Sequence, residues 1–422
     1  MLYLFILSCA PKKWSHRGPL PELTKREDIV EDIHGIQISD PYRWLEDGNS
    51  QEVKAWVDVQ NLRFEEYIEN VPQRKHLYDR LEELWRYDDE DVPRACLLDS
   101  TRAIVWKKKA NEEKWSVFIR ERQDQEERDR LLLNPNTWNK NTAISNFYPS
   151  PDCRFAVYGT SNGGDEDSVL KVMSIDTLEV YQDTMKGRTQ GSVAWKHDNS
   201  GFYYSAWPTQ DEVPQGEQDY HHRGYYHQLG TGKEEDYIVI QDELVKEHFH
   251  GSYLDETGRF LFTIRSSFNA TQVWMESIDP SIPYERTLLT PNMDAQYLID
   301  LIDEQLYITT NLEADNYRVM TASLEKPTQE HWKEFIPEQD TVLNRFSPIA
   351  GTFYASYYSQ GAPLIKRYNN SGEHLGSISN LGIGTAHIYG HWTLPDVVIS
   401  FSSFMHPQKY LHYNKKDDRL HL

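Results

Sequence analysis

Residues 154–167, RFAVYGTSNGGDED, bring Gly159, Ser161 and Gly163 into a GxSxG spacing. In acyl-transfer enzymes that spacing puts a nucleophilic serine on a strained turn between a buried strand and a helix, where backbone N–H groups meet the oxyanion. RFAVY reads as the entering strand, but the residues after Gly164 open with acidic turn formers and then alternate as a second strand, SVLKVMSID. The pattern therefore predicts a hairpin in which glycines supply positive φ, with Ser161 a turn residue and no catalytic residue in the chain.

Other clusters offer less chemistry. His221-His222 and His248-Phe249-His250 lack a third ligand at useful spacing, so neither a metal nor any other cofactor is expected. Cys9, Cys96 and Cys153 show no CxxC spacing and are not expected to build a disulfide framework. Asn269-Ala270-Thr271 and Asn369-Asn370-Ser371 match the glycosylation acceptor, which matters only in a host that glycosylates. Cys9 closes the apolar run MLYLFILSCA, which is similar to a bacterial lipobox, although no Lys or Arg precedes it. Residues 1–21 are accordingly read as a lipoprotein signal and linker with Cys9 as the lipid attachment site. The run is too short to span a bilayer, so a lipidated chain belongs to the bacterial cell envelope or periplasm and an unlipidated one to the cytoplasm.

A formal charge of -22 leaves no basic face for nucleic acid or anionic lipid. With 38% hydrophobic residues, 13% of all residues being aromatic, the chain can bury a substantial core. Its first structured region is helical: Asn49 or Ser50 can cap a helix carrying Val53, Trp56, Val57, Phe64, Tyr67 and Ile68 at helical spacing, and Leu77, Leu81, Leu84 and Trp85 form a second stripe. From Val92 onwards one phrase recurs, a turn cluster followed by a short alternating strand. Its turn residues Asp99, Asp152, Asp198, Asp255, Asp303, Gly351 and Asp396 are spaced by roughly 45 to 57 residues, the period of a four-stranded propeller blade. Seven such marks predict seven blades.

The segments DPYRWLED (residues 40–47) and VKAWVDVQN (53–61) resemble the N-terminal hallmark of the prolyl oligopeptidase family. LLLNPNTW (131–138), HHRGYYHQLGT (221–231), TNLEADNYRV (310–319) and ISFSSFMHPQKYLHY (399–413) resemble that family's propeller in the same order. The resemblance implies an all-β fold, a seven-bladed β-propeller over residues 88–415 behind a short α-helical arm over 22–87. Residues 416–422 fall where the family's α/β-hydrolase domain would begin. Family members are serine-type endopeptidases that cleave short peptides after proline, and their propeller covers the active site and excludes folded proteins. None of the Ser-Asp-His triad transfers to a residue of this sequence, so the chain alone is expected to be inactive.

Arg265, in FTIRSSF, matches an arginine that in the family reaches toward the substrate cavity; read from its residues alone it is a rim arginine in an ion pair. The partners implied are short peptides and either a separately encoded hydrolase half or a second copy of the chain met through the arm. The alternative is a stand-alone propeller that binds peptide or a partner protein in its channel.

Overall fold

The structure, a computed structural model, describes residues 24–421 except 125, 167, 186, 187, 190, 192, 291, 379 and 380. Cys9 and the rest of the signal-like segment lie outside the described residues. The chain divides into two units, one up to Tyr87 and one from Asp88.

In the first unit a hairpin, Val30–Ile33 with Ile36–Ser39, is followed by helices α1 (Gln51–Glu69) and α2 (Arg74–Trp85). Ser50 caps α1 by accepting the Val53 N–H at 3.1 Å, which satisfies one of the donors a helix start leaves unpaired. The DPYRWLED segment closes on itself: Asp40 accepts from Arg43 Nε at 2.8 Å, and Trp44 meets Trp56 of α1 edge-on at 6.4 Å. Within the α1 stripe Val53 is buried, whereas Val57, Phe64 and Tyr67 are exposed, as are Leu77, Leu81, Leu84 and Trp85 of α2.

The second unit is seven antiparallel sheets, each built from consecutive strands; six have four strands and the first gains an extra short strand, making five. Each sheet is one blade, numbered 1 to 7 in chain order, and its first strand is innermost. The inner strands of blades 2 to 7 are Thr142–Pro149, Ala194–Trp195, Phe249–Leu254, Tyr297–Ile302, Leu343–Ile349 and Thr385–Tyr389. In blades 2 to 4 the repeated aspartates Asp152, Asp198 and Asp255 sit in the turns that leave these strands, where the carboxylate accepts N–H groups of the turn. Asp255, for example, takes Arg259 N at 2.9 Å and Phe260 N at 2.7 Å.

The core lies between blades. Phe260 and Phe262 of blade 4 pack with Tyr297 and Ile299 of blade 5, and Tyr354 and Ile365 of blade 6 with Ile399 and Phe401 of blade 7. Burying each such side chain contributes about 1.5–3 kcal/mol, so a ring needs no second layer to hold its sheets.

Two sequence readings need correction. Cys96 and Cys153 form a disulfide, which joins the inner edge of blade 1 to the first turn of blade 2. Their 57-residue separation matches no short motif, but the blade repeat brings them together because they flank the successive marks Asp99 and Asp152. Residues 419–421, read as part of a tail, pair with His406–Asn414 as the outer strand of blade 7. The alternation there is only three residues long and too short to stand out in sequence.

Strand direction gives the ring two distinct mouths. Inner strands begin at one, where the loops between successive blades and between second and third strands also lie. They end at the other, where the turns holding the aspartate marks lie.

Candidate functional site

Ser161, read from the sequence as a turn residue, is instead the penultimate residue of the strand Phe155–Asn162, in register with Ala143 of the neighbouring inner strand, because the glycines that make the turn follow it. The chain then turns through Gly163 and Gly164, at φ 67° and 83°, into the strand Val169–Ser174. No helix follows. Gly159 is a packing residue, since a Cβ there would come within 2.4 Å of Ser145 Oγ. The GxSxG spacing is thus the end of a strand and the turn of a hairpin.

Arg265 stands near the end of the second strand of blade 4, in register with His250 at the start of the inner strand, and so belongs to the mouth where inner strands begin. Its Nη1 donates to Asp242 at 2.7 Å, its Nη2 bonds Gln272, and its guanidinium lies 5.5 Å from the Trp274 ring centroid. Asp242 is buried and also takes His248 Nδ1 and Leu244 N, each at 2.8 Å. Burial opposes its ionisation, but His248, the backbone donors and Arg265 outweigh it and hold the carboxyl below its ordinary range. Arg265 is therefore fixed in place at the rim. The neighbouring histidines are used in packing: His221 bonds Glu217 at 2.7 Å, and His250 Nδ1 bonds the His222 carbonyl at 2.5 Å. Burial pushes the His250 imidazole down to about 4, which keeps it neutral near pH 7.

Around this mouth the loops present large apolar side chains to solvent. Leu244, Phe268, Val342, Ile383, Phe404 and Met405 are all exposed, Leu244 to 94% and Phe268 to 88%. The loops and turns at the opposite mouth expose only Leu98 and Leu178 among the described large apolar residues. Exposed large apolar loop residues are thus concentrated at one mouth.

The opposite mouth is crossed by a strap, residues 390–397, the long loop leaving the inner strand of blade 7. It starts at Gly390, φ 154°, where a Cβ would lie 2.3 Å from Ile349 Cγ2. The strap pairs with blade 6, Ala350 N donating to His391 O at 2.8 Å, and Trp392 packs on Phe353 at 5.0 Å. It then reaches blade 4 across the ring, where Glu256 accepts Trp392 N at 2.8 Å, His391 Nδ1 at 3.1 Å and Thr393 N at 3.3 Å. Beside it lies a cavity of about 400 Å³, bordered by Trp195, His197, Tyr253, Asp300 and Trp392. Sequence reasoning missed Glu256, Asp300 and the strap; the signal was the spacing in the last repeat, where GHWTLPDV stands in place of a tight turn.

Seven blades arranged as consecutive antiparallel sheets define a seven-bladed β-propeller. The chain belongs to the prolyl oligopeptidase family: the model of that family's N-terminal β-propeller domain matches residues 21–422. The prolyl endopeptidase of Elizabethkingia meningoseptica is 25% identical over 397 residues, covering 93% of this chain and 55% of that protein. Prolyl oligopeptidase A of Galerina marginata is 24% identical over 412 residues, covering 88% and 54%. A solved prolyl endopeptidase, studied for inter-domain dynamics in catalysis and specificity, superposes with a TM-score of 0.87 at 25% identity over 95% of this chain and 59% of its own. Prolyl oligopeptidase B of Galerina marginata, bound to a 25-residue macrocyclization substrate, has the same fold, with a TM-score of 0.84 at 21% identity. The chain thus spans little more than half the length of these relatives.

Proposed function

We propose that this chain is the propeller portion of a prolyl oligopeptidase-like serine endopeptidase and that its ring gates peptide access to a hydrolase domain. The observation that carries the reading is the asymmetry of the mouths: the apolar rim around Leu244, Phe268 and Phe404 is a surface suited to a folded partner, and Arg265 stands at that rim. Catalysis needs a nucleophile, a base and oxyanion donors together, and Ser161 has no such company, so the propeller turns over no peptide by itself. A channel barred at its far mouth admits an unfolded segment from the rim side and keeps folded proteins out. The Cys96–Cys153 disulfide supports maturation in an oxidising compartment, in keeping with export and lipidation at Cys9. The exposed Leu77, Leu81, Leu84 and Trp85 of α2 favour a second contact, self-association through the arm.

The test is a chimera that joins this chain to the unmatched C-terminal part of the Elizabethkingia meningoseptica relative. Cleavage of a proline-containing octapeptide, with a folded protein carrying the same exposed sequence left intact, is expected. Equal cleavage of both would refute gating, and octapeptide turnover by the unfused chain that is lost in Ser161→Ala would refute the assignment of that serine.

A further inference from the structure

Asp300 is the carboxylate that the ring leaves unanswered. It sits on the inner strand of blade 5, Tyr297–Ile302, and borders the cavity beside the strap. Its Oδ2 is buried with no hydrogen-bond partner. The neighbouring acids are already employed: Asp255 binds its own turn at Arg259 N and Phe260 N, and Glu256 holds the strap. Tyr253, whose hydroxyl could have answered Asp300, donates instead to Ile299 O at 2.7 Å. A buried carboxylate oxygen without a donor is costly and calls for an explanation, of which a bound cation beside the carboxylate is one.

We propose that this cavity is a binding site for an organic ammonium, the amino terminus or lysine side chain of a peptide, with Asp300 as its counter-ion. Trp195, Tyr253 and Trp392 border the same space and supply the aromatic faces that favour a desolvated cation. The strap gives the site a floor, so that a chain entering from the apolar-rimmed mouth would present its end to Asp300. That occupant rests on the peptide-gating reading; the ammonium site itself does not.

Binding is linked to protonation. Burial pushes the Asp300 carboxyl up to about 7, with Arg345 on the adjacent inner strand opposing the rise and Glu256 adding to it. His197, across the cavity, is held below its ordinary value by burial and is neutral when Asp300 ionises, and His391 is engaged by Glu256. An ammonium therefore binds the ionised form, and the affinity for an amine that stays protonated rises with pH and levels off above about 7.

The experiment is a methyl-NMR titration of the intact chain, reading Ile299, Leu301 and Ile302, with propylammonium, glycylproline amide and N-acetylglycylproline amide as probes. Saturable shifts with the two amines are expected, those with propylammonium stronger by at least about fivefold at pH 8 than at pH 6, those with glycylproline amide by less because its α-amino group is itself losing its proton at pH 8. They should be absent with the acetylated probe, and absent in Asp300→Asn whose remaining spectrum matches the parent. Shifts with propylammonium but none with glycylproline amide would uphold the ammonium site and overturn its peptide occupant. No saturable shift with either amine, or shifts that persist in Asp300→Asn, would overturn the proposal, as would equal response to the acetylated probe.

Discussion

At the mouth where inner strands end, a disulfide ties blade 1 to blade 2, and three donors of the blade 7 strap converge on Glu256 of blade 4. At the mouth where they begin, the loops hold six large apolar side chains in solvent, and Arg265 is half-buried in its ion pair with Asp242. The blades are the same at both ends, so the difference lies in loops. Cross-ring bonds and covalent closure make the first end a structural floor, whereas exposed apolar area gains free energy only when something covers it. One repeated unit thus yields a strapped end and an end whose loops expose apolar side chains.

The largest expected effect is at the floor. Closing a loop of 57 residues restricts the unfolded chain by about 4 kcal/mol in the chain-entropy account. Reduction, or the pair Cys96→Ser and Cys153→Ser, should lower the urea midpoint accordingly. A midpoint that reduction leaves unchanged would remove the disulfide from the floor's structure.

Asp300→Asn should act in the opposite sense. The folded-state value of Asp300 is raised above that of the unfolded chain, so the stabilising protonated form is complete below about pH 4 and is lost as pH rises to about 7. The amide should therefore stabilise the protein by on the order of 3 kcal/mol at pH 8 and by nothing at pH 4, read from urea curves at both pH values. A pH-independent difference would mean that the carboxyl does not titrate in this range.

Glu256→Gln keeps the shape of the latch but removes its charge, and should cost about 1–2 kcal/mol. Amide exchange should quicken at Trp392 and Thr393, whose N–H groups it holds, while the turn at 255–259 stays protected. The smallest effect belongs to the rim: Leu244→Ser, Phe268→Ser and Phe404→Ser should each change stability by less than about 0.5 kcal/mol, because these side chains touch little. Losses of several kcal/mol there would show that the rim is part of the ring's own packing.

Most of the ring was legible because a blade repeats the same physical sentence. An aspartate that caps a turn, followed by alternating apolar residues, specifies a hairpin from local chemistry alone, and Asp152 or Asp255 could be read without any partner in view. The Ser161 hairpin was legible for the same reason. What escaped was long-range: Cys96 with Cys153, and Glu256 with a loop 135 residues away, are set by which blades a closed circle brings together. Asp300 escaped differently. Its sequence neighbours Leu298 to Ile302 look like any inner strand, and only the ring reveals that its buried Oδ2 meets no donor.

The central claim is that the apolar-rimmed mouth, and not the strapped one, faces the catalytic partner. Deuterium exchange of the chain alone against the chimera with the relative's C-terminal part tests it most directly. The account predicts new protection in the loops at 242–248, 267–270 and 403–406, with 255–259 and 390–397 unchanged. Protection of 255–259 and 390–397 with the rim loops unaffected would contradict it, and would put the hydrolase over the strap.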